Sequence, residues 1–367
     1  MYKLIRPLIF TQDSETVHNL MLWLGENILD RSPFRQVMSS IYKYENPILE
    51  QEFLGVKYKN PVGVPAGFDK SARMLDFWPV LGLGHIEIGS VTARGGQGNA
   101  KPRMWRLFED TALVNRMGLN NIGADAMEKK LLARKMLGKI CNIPVGVNIA
   151  KTHDPKILGE DGIKDFCYSF KKLYSFGDYI LINVSCPNTA EGKTFEDCTA
   201  LEALLKEIKV IVISEKITKP ILVKLSPDIN FQELNKILLV SEKYGIAGYV
   251  IANCSHGMRE GLKTPSLTLE KIGKGGLSGE PIRQKTTELI RYAYKQLKRP
   301  CIIGLGGIDS AEDAYEKIRA GASLVQVYTG LIYEGPGLVK KINHGLVKLL
   351  ERDGFKNISE AVGVEAK

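Results

Sequence analysis

The chain has 367 residues, 44% of them hydrophobic, and carries 50 Lys and Arg against 41 Asp and Glu, a formal net charge of +9. This length allows one large core, or one barrel of typical size with an appended segment. No stretch reaches the ~18–20 consecutive apolar residues that a membrane-spanning helix needs, and the scattered basic residues give no support to a nucleic-acid partner.

Residues 1–45 are predicted to form an amphipathic helical segment ahead of the main domain. Apolar residues recur at helical spacing on one face: Val17, Leu20, Met21, Leu24 and Ile28. The segment either packs on the body of the protein, which is the preferred interpretation, or lies in a membrane interface with Lys3 and Arg6 toward phosphate headgroups. It lacks the apolar core and cleavage site of a secretory signal.

From about residue 62 onward, short apolar, β-branched runs alternate with helical patterns. The candidate strands are Val62 to Val64, His85 to Val91, Pro144 to Ile149, Asp178 to Val184, Ile221 to Leu225, Gly248 to Ala252, Cys301 to Leu305 and Leu324 to Tyr328. Strict alternation implies parallel pairing through right-handed crossovers, and eight such units close into a barrel. The predicted fold class is α/β, a (β/α)8 barrel over residues 46–367 with an N-terminal helical extension.

The alternation breaks between Ser255 and Gly276. This stretch contains several turn-forming residues: Gly257, Gly261, Pro265, Gly273 and Gly275. We expect a long ordered or mobile loop here, and a loop of this length beside a barrel mouth is often a lid.

The fourth predicted strand ends in the run Asn183-Val184-Ser185-Cys186-Pro187-Asn188. Catalytic groups of such barrels lie at the carboxyl ends of the strands. Cys186 is therefore a candidate base or nucleophile, and the amides are candidate hydrogen-bonding groups for a small polar ring. The alternative is that Cys186 is an inert buried residue, as most free cysteines are.

Two glycine-containing turns follow the seventh and eighth strands, Gly304-Leu305-Gly306-Gly307 and Tyr328-Thr329-Gly330. The loops at these two positions are the usual phosphate site of this barrel, and glycine lets backbone N–H groups approach a phosphate. A mononucleotide fits better than a dinucleotide, because no G-x-G-x-x-G motif follows an early strand. The alternative is a pair of ordinary tight turns.

Further polar residues follow the other predicted strands: Asp69, Lys70, Asn148, Lys224 and Asn253. All of these ends meet at one rim, where buried polar groups need partners. A planar heterocycle with carbonyl and N–H edges would supply them. The six cysteines and five histidines show no zinc-binding spacing, so we assign no metal and expect reduced thiols in a cytoplasmic protein.

Taken together, these residues resemble the dihydroorotate dehydrogenase family, class 2, the quinone-linked branch. The resemblance covers nearly the whole chain. It rests on these blocks: Asn60-Pro61-Val62-Gly63, Ala66-Gly67-Phe68-Asp69-Lys70, Asn115-Arg116-Met117-Gly118, Asn183 to Asn188, Gly275 to Gly279, and Ala314 to Pro336. It implies oxidation of dihydroorotate to orotate with FMN and a quinone, in de novo synthesis of pyrimidines (UMP).

The resemblance also implies roles for individual residues. The FMN contacts would be Ala66, Gly67, Ser90, Asn148, Asn183, Lys224, Gly279, Gly307, Tyr328 and Thr329. The dihydroorotate contacts would be Lys70, Asn115, Arg116, Met117, Gly118, Leu119, Asn183, Asn188 and Asn253. The catalytic base falls on Cys186, while His18 and Arg106 correspond to residues near the quinone channel. The N-terminal helices resemble a membrane-associating pair, which implies a peripheral position on the cytoplasmic side of the cell membrane.

The chain departs from the class 2 pattern at several positions. Cysteine stands where class 2 enzymes carry a serine base, Leu119 replaces a phenylalanine, and Ala252-Asn253-Cys254-Ser255 replaces Thr-Asn-Thr-Thr. Because the cytosolic class 1 enzymes use cysteine, a soluble cytoplasmic enzyme using fumarate or another small acceptor is the nearest alternative. A non-redox barrel binding a sugar phosphate is a more distant one.

Overall fold

A computed structural model describes residues 2–29, 31, 33–139, 141–185, 194–299 and 301–366. The strands are β1 (Gln51–Phe53), β2 (Val56–Tyr58), β3 (Val62–Asp69), β4 (His85–Val91), β5 (Met104–Leu107), β6 (Ala112–Asn115), β7 (Val145–Ile149), β8 (Tyr179–Asn183), β9 (Ile221–Leu225), β10 (Gly248–Ile251), β11 (Gly276–Gly279), β12 (Ile302–Leu305) and β13 (Leu324–Gln326). A closed parallel barrel contains β3, β4, β7, β8, β9, β10, β12 and β13, paired in chain order. The predicted barrel is therefore confirmed, strand by strand.

The barrel strands are buried on both faces, which explains their nearly continuous apolar sequences. In β8 the side chains of Ile180 and Ile182 point outward and pack in the layer between strands and helices. Those of Tyr179 and Leu181 point inward and join a separate cluster inside the barrel. Because successive side chains of a strand point to opposite faces, one apolar run supplies residues to both cores.

The hairpin of β1 and β2 closes the end of the barrel at which the strands begin. Its two strands pair antiparallel, and Phe53 and Tyr58 join the inner cluster with Leu222 and Leu324 from the starts of β9 and β13. The opposite end of the barrel, at the carboxyl ends of the strands, remains available for a ligand.

The α-helices of the described residues are α1 (Tyr2–Phe10), α2 (Ser14–Leu24), α3 (Phe34–Tyr42), α4 (Ala124–Met136), α5 (Gly159–Leu173), α6 (Cys198–Ser214), α7 (Phe231–Lys243), α8 (Ser266–Ile272), α9 (Arg283–Gln296), α10 (Ala311–Ala320), α11 (Thr329–Glu334) and α12 (Leu338–Arg352). Several begin at a side-chain cap. Asp197 accepts hydrogen bonds from the N–H groups of Thr199 and Ala200, and Asn230 and Glu233 form a capping box. The connection from β3 to β4 carries only a 3-10 turn, Trp78–Leu81.

A three-stranded antiparallel sheet, absent from the predicted elements, lies over the open mouth. It has the order β11-β6-β5, and Asn115 pairs with both Gly276 and Met104. Since β5 and β6 follow β4 whereas β11 follows β10, the sheet joins two distant crossovers. The predicted long loop therefore ends in a strand and contains α8.

That loop is anchored by two buried or half-buried carboxylates. Asp228 accepts hydrogen bonds from the Ser255 hydroxyl and from the backbone N–H of His256 at 2.7 Å. Asp110 accepts from the N–H of Lys263 at 2.6 Å and from both donors of Thr264. These bonds fix the two ends of residues 256–264 relative to the sheet.

The N-terminal helices contact the barrel differently from the prediction. The buried residues of α2 are Ser14, Glu15 and Leu22, whereas Leu20 and Met21 of the predicted packing face are 52% and 44% exposed. Val17, Leu24 and Ile28 of the same face are half-buried. The buried Glu15 accepts two hydrogen bonds from Arg103, of 2.9 and 2.6 Å. Within the described part of the chain, none of the helices combines the length and the apolar character needed to cross a bilayer.

Candidate active site

A cavity opens at the carboxyl ends of the barrel strands, and together with the open space at its mouth it measures about 1020 Å³. The residues that line it come from the barrel and from the sheet above it: Pro65, Ala66, Gly67, Lys70, Ser90, Asn115, Met117, Gly118, Leu119, Asn183, Lys224, Ala252, Asn253, Cys254, Ser278, Gly279, Ile282, Leu305, Gly306, Gly307, Ile308, Gln326, Tyr328, Thr329 and Gly330.

One wall of the cavity carries a buried ion pair. Lys224, near the end of β9, has its Nζ 3.8 Å from Oε2 of Glu87, and both side chains are almost completely buried. The same Oε2 accepts a hydrogen bond from the Ala66 N–H, and Oε1 accepts one of 2.6 Å from Nε2 of Gln326. The carboxylate that pairs with Lys224 is thus itself held by groups from two other barrel strands, β3 and β13.

A chain of side-chain hydrogen bonds joins the ends of β4, β8 and β10. Asn183 donates from Nδ2 to the Ser90 hydroxyl at 3.1 Å, and its Oδ1 accepts from the N–H and hydroxyl of Ser185. Asn253 donates to the carbonyl and the hydroxyl oxygen of Ser185, both at 3.2 Å. The two amides are therefore fixed in orientation before any ligand arrives.

The sheet above the mouth contributes a second polar wall. Asn115, the last residue of β6, approaches the Sγ of Cys254 at 3.6 Å with its Nδ2. Ser278 of β11 shares a hydrogen bond of 2.9 Å with the Thr329 hydroxyl. Burial raises the pKa of the Cys254 thiol, so this sulfur stays protonated near neutral pH.

Glycines form a cradle at one end of the cavity. Gly307 has φ +68°, and a Cβ added to it would lie 2.4 Å from Cβ of Arg283. Gly279 has φ +107°, and its Cβ would lie 2.4 Å from the carbonyl oxygen of Thr111. No other residue fits either place, so the backbone itself forms this surface, as expected where a phosphate is bound by N–H groups.

Several buried polar atoms beside the cavity lack a protein partner. Both side-chain amide atoms of Asn148 and Oε1 of Gln326 find no hydrogen-bonding group among the described residues, although both side chains are fully buried. A buried polar atom without a hydrogen bond lowers the stability of the fold unless a ligand or water supplies the missing partner. A heterocycle with N–H and carbonyl edges, bound with its phosphate at the glycine cradle, fits these residues.

The structure brings most of the predicted cofactor residues together. All of them except Asn148 line the cavity, and Asn148 lies on β7 beside β4. Of the predicted substrate residues, the following also line it: Lys70, Asn115, Met117, Gly118, Leu119, Asn183 and Asn253. Lys70 donates to Oδ1 of Asn120. Cys186 and Asn188 lie outside the described residues.

Arg116 is placed away from the cavity lining. Its guanidinium donates to the carbonyl oxygen of Ile272 at 2.6 Å and to that of Lys274 at 3.2 Å, and it lies 4.4 Å from the centre of the Trp105 ring. In this arrangement Arg116 fastens the long loop to the sheet. A direct contact with the substrate stays a prediction for this residue.

The two predicted quinone-channel residues occupy different places. The His18 ring lies 5.0 Å from that of Phe68, which lies 5.1 Å from the Tyr328 ring on the cavity wall. An aromatic path therefore runs from α2 to the cavity. Arg106 of β5 donates to the carbonyl oxygens of Phe10 and Gln12, and so fixes the turn between α1 and α2.

Sequence reasoning missed Glu87, Gln326, Cys254 and Ser278 as cavity residues or neighbours. Glu87 could have been noticed, because a carboxylate in the otherwise apolar run of β4 needs a buried partner. Gln326 could have been noticed for the same reason, because its polar side chain lies inside a buried strand and also needs a partner. Cys254 and Ser278 lie in a loop and a short strand with no such pattern.

Comparisons with known proteins agree with this geometry. The family model described as dihydroorotate dehydrogenase matches residues 48–350. A protein of Natronomonas pharaonis named dihydroorotate dehydrogenase (quinone) is 41% identical over 100% of this chain and 99% of its own length. One of Roseiflexus sp. with the same name is 40% identical over 99% of this chain and 98% of its own.

Solved structures give the same result. A crystal structure of DHODH from Eimeria tenella in complex with ferulenol superposes with a TM-score of 0.86, at 29% identity, over 99% of both chains. A ligand-free form from the same organism gives 0.84 at 30% identity, over 97% of this chain and 100% of that one. From its barrel, its cavity and its full-length relatives, the chain belongs to the dihydroorotate dehydrogenase family, in the quinone-dependent class.

Proposed function

We propose that this protein oxidises dihydroorotate to orotate in pyrimidine biosynthesis, with FMN as the first hydride acceptor and a quinone as the final electron acceptor. The observation that carries the proposal is the cavity at the barrel mouth, where a glycine cradle and a ring of Asn and Lys side chains meet. Relatives that match the chain over its whole length bear the corresponding name. The sugar-phosphate alternative has no such support.

For the cofactor, we assign the glycine cradle to the FMN phosphate and the deep wall to the ring system. Gly307 and Thr329 line the first region, and Lys224 and Asn183 line the second. When bound, the flavin supplies a two-electron acceptor. The unpaired amide atoms of Asn148 and Gln326 are suited to its polar edge.

For the substrate, we assign the rim formed by Lys70, Asn115, Asn183 and Asn253. Lys70 carries the charge that a substrate carboxylate needs, and the amides offer donors and acceptors to the edges of a pyrimidine ring. Asn183 and Asn253 are held by Ser90 and Ser185, so little conformational freedom is lost when a planar ring binds between them.

For the base, we assign Cys186, which follows β8 in the sequence. Removing the proton from carbon 5 of dihydroorotate while hydride leaves carbon 6 requires a base on the ring face opposite the flavin. An ordinary thiol has a pKa near ~8.5, and a positive neighbour lowers it toward neutral pH. Lys70, on the cavity wall, carries the charge for this task.

For the acceptor, the surface of the N-terminal helices supports a lipid-soluble quinone. Among the described residues, α1, α2 and α3 expose a set of large apolar side chains: Leu4, Ile5, Leu8, Leu20, Met21, Trp23, Phe34, Val37 and Ile41. A patch of this kind, with Lys3 and Arg6 beside it, suits the interface of a bilayer. We therefore propose peripheral membrane attachment on the cytoplasmic side, with quinone reaching the flavin along His18 and Phe68.

The second candidate is a soluble cytoplasmic dihydroorotate dehydrogenase using fumarate. It is favoured by one feature, the cysteine at the position of the base. The exposed apolar helices argue against it, because a soluble acceptor needs no lipid-facing surface.

Experiments on the purified protein test both the proposed oxidation of dihydroorotate and the proposed electron acceptor. We expect a yellow protein whose flavin absorbance bleaches on anaerobic addition of dihydroorotate, and returns on addition of a quinone in detergent but not of fumarate. A colourless protein that does not take up FMN would overturn the assignment of the cavity. Return of colour with fumarate alone would leave dihydroorotate oxidation in place and replace the acceptor.

A further inference from the structure

A buried carboxylate behind the proposed flavin site has no role in the mechanism above. Glu87 lies in the middle of β4 with no exposed surface. Its two oxygens accept hydrogen bonds from the Ala66 N–H at 3.1 Å and from the Gln326 amide at 2.6 Å. The Lys224 ammonium is 3.8 Å away, farther than a direct hydrogen bond.

The surroundings of Glu87 hold it rigidly. Its two hydrogen-bond partners belong to β3 and β13, on the two sides of the closing seam of the barrel, and Gln326 also contacts Nε2 of His85 at 3.4 Å. A side chain bound by two neighbouring strands at once cannot follow a moving partner. Glu87 is therefore the fixed member of the ion pair, and Lys224 is the member that lines the cavity.

The pair is also almost completely buried, which makes its electrostatics strong. Lys224 keeps 4% of its side-chain surface exposed and Glu87 none. In such a place a charge interacts with its partner far more strongly than at the surface, and removing one partner leaves the other buried and uncompensated. The position and charge of the ammonium thus depend on the carboxylate.

We propose that Glu87 is a positioning residue for the flavin, acting through Lys224: it holds the ammonium at the cavity wall, where it faces the polar edge of the ring system. The inference rests on the proposed function, since it assumes a flavin in this cavity. It assigns to Glu87 control over how tightly the flavin binds and how readily it is reduced, without contact between Glu87 and flavin or substrate.

A double-mutant cycle tests the proposal. Glu87→Gln removes the charge and keeps the shape, and Lys224→Met removes the ammonium. We expect Glu87→Gln to weaken FMN binding to the apoprotein about tenfold and to shift the midpoint potential of the bound flavin. In the Lys224→Met background the same change should alter FMN affinity by less than about threefold, because residues that act through each other are not additive.

A control separates positioning from plain stability. Asp165, another buried carboxylate, accepts hydrogen bonds from Thr152 and does not line the cavity, so Asp165→Asn should lower the melting temperature without moving the flavin potential. Equal losses of FMN affinity for Glu87→Gln in both backgrounds, or an unchanged potential in the single variant, would overturn the proposal.

Should Glu87→Gln fail to fold, Glu87→Asp takes its place. It retains the charge but withdraws it by one methylene, so FMN binding should weaken by a smaller factor and the potential should still shift. Wild-type flavin properties in that variant would contradict the proposal. The proposed function is judged separately, by the flavin content and dihydroorotate-dependent bleaching of the wild-type protein.

Discussion

At the scale of single residues, we propose different tasks for two thiols of this chain. Cys254 lines the cavity, and burial raises the pKa of its thiol, with the Asn115 amide opposing that effect. A protonated sulfur can fill space and accept a weak hydrogen bond, but it cannot remove a proton from carbon. This leaves Cys186 as the thiol for the proposed base.

Replacing Cys186 by serine should lower the rate of dihydroorotate oxidation at neutral pH by about 10²-fold, the lower end of what a general base contributes. The remaining activity should increase toward higher pH, because a hydroxyl is a weaker acid than a thiol. Pre-steady-state bleaching of the flavin across pH 6–10 measures both effects. Cys254→Ser should leave the shape of the pH profile unchanged. A full rate and an unaltered profile for Cys186→Ser would remove Cys186 from the base role.

The glycine cradle permits a second residue-scale prediction with a matched control. Gly307→Ala places a methyl group against Arg283, whereas Gly138 has a similar φ of +65° and nothing within 4 Å. Both substitutions carry the strain of a left-handed residue, about 1–2 kcal/mol. Only Gly307→Ala should also reduce FMN content and raise the FMN dissociation constant. Equal FMN affinity in the two variants would show that the cradle does not bind the phosphate.

At the scale of elements, the N-terminal helices are fastened at a few polar points. Arg103 donates to Glu15 of α2 and also to the backbone oxygens of Gln97, Asn99 and Met117, near the substrate rim. Tyr2 of α1 donates to the carbonyl oxygen of Ile332. Leu22, Met38 and Tyr42 pack against the core, but many other apolar side chains of these helices remain on the surface.

Exposed apolar residues can therefore be changed without disturbing the anchors. We expect Leu8→Ser combined with Trp23→Ser to reduce binding to anionic phospholipid vesicles and turnover with a long-chain quinone about tenfold, with little change in melting temperature. The control is Leu239→Ser on α7, which is 60% exposed but lies on another helix. Flotation and quinone assays report the result. Unchanged vesicle binding in the double variant would remove the membrane role from this surface.

The elements differ in how well the sequence predicted them. The strands β8 and β9 could be predicted because barrel strands buried on both faces are continuous apolar runs bounded by turns. The strands β5, β6 and β11 could not, since each has only four residues and β6 and β11 pair across more than half of the barrel sequence. Pairing at that distance leaves no local pattern.

The same reasoning applies to the site. Asn183, Lys224 and Asn253 could be predicted because strand ends of one barrel share a rim. The contact of Glu87 with Gln326 and Lys224 could not, because it depends on barrel closure, which brings together side chains from three separate strands. Exposure of Leu20 and Met21 was also unpredictable, since an amphipathic pattern does not tell which environment receives the apolar face.

At the scale of the whole molecule, the buried His85 and the half-buried His18 couple stability to acidity. Burial lowers the pKa of His85 to about 3, and burial together with the nearby Lys70 ammonium lowers that of His18 to about 4, from 6.5 in both cases. Below pH 6.5 the unfolded chain therefore binds protons that the folded protein does not. Folding loses stability as the pH falls from 6.5 toward 4, where His18 begins to protonate in the folded state, and His85 continues the loss to about 3.

We expect the free energy of unfolding to fall by up to about 1.4 kcal/mol per pH unit for each of the two histidines in this window. Urea unfolding of the apoprotein at pH 7, 6 and 5 measures the slope. Replacing His18 by Gln should reduce the slope by the contribution of one proton, up to about 1.4 kcal/mol per pH unit. A pH-independent stability between 7 and 5 would contradict the prediction.

The cavity is assembled from residues as far apart as Pro65 and Gly330, with contributions from strands all around the barrel and from the sheet above it. No fragment of the chain contains the complete site, so a ligand that fills it binds only the fully folded protein. By mass action, a cofactor present at 100 times its dissociation constant adds about 2.7 kcal/mol to the free energy of unfolding. Cellular supply of the vitamin precursor of the flavin should therefore set how much of this protein survives proteolysis, and its abundance would follow riboflavin nutrition even at constant synthesis.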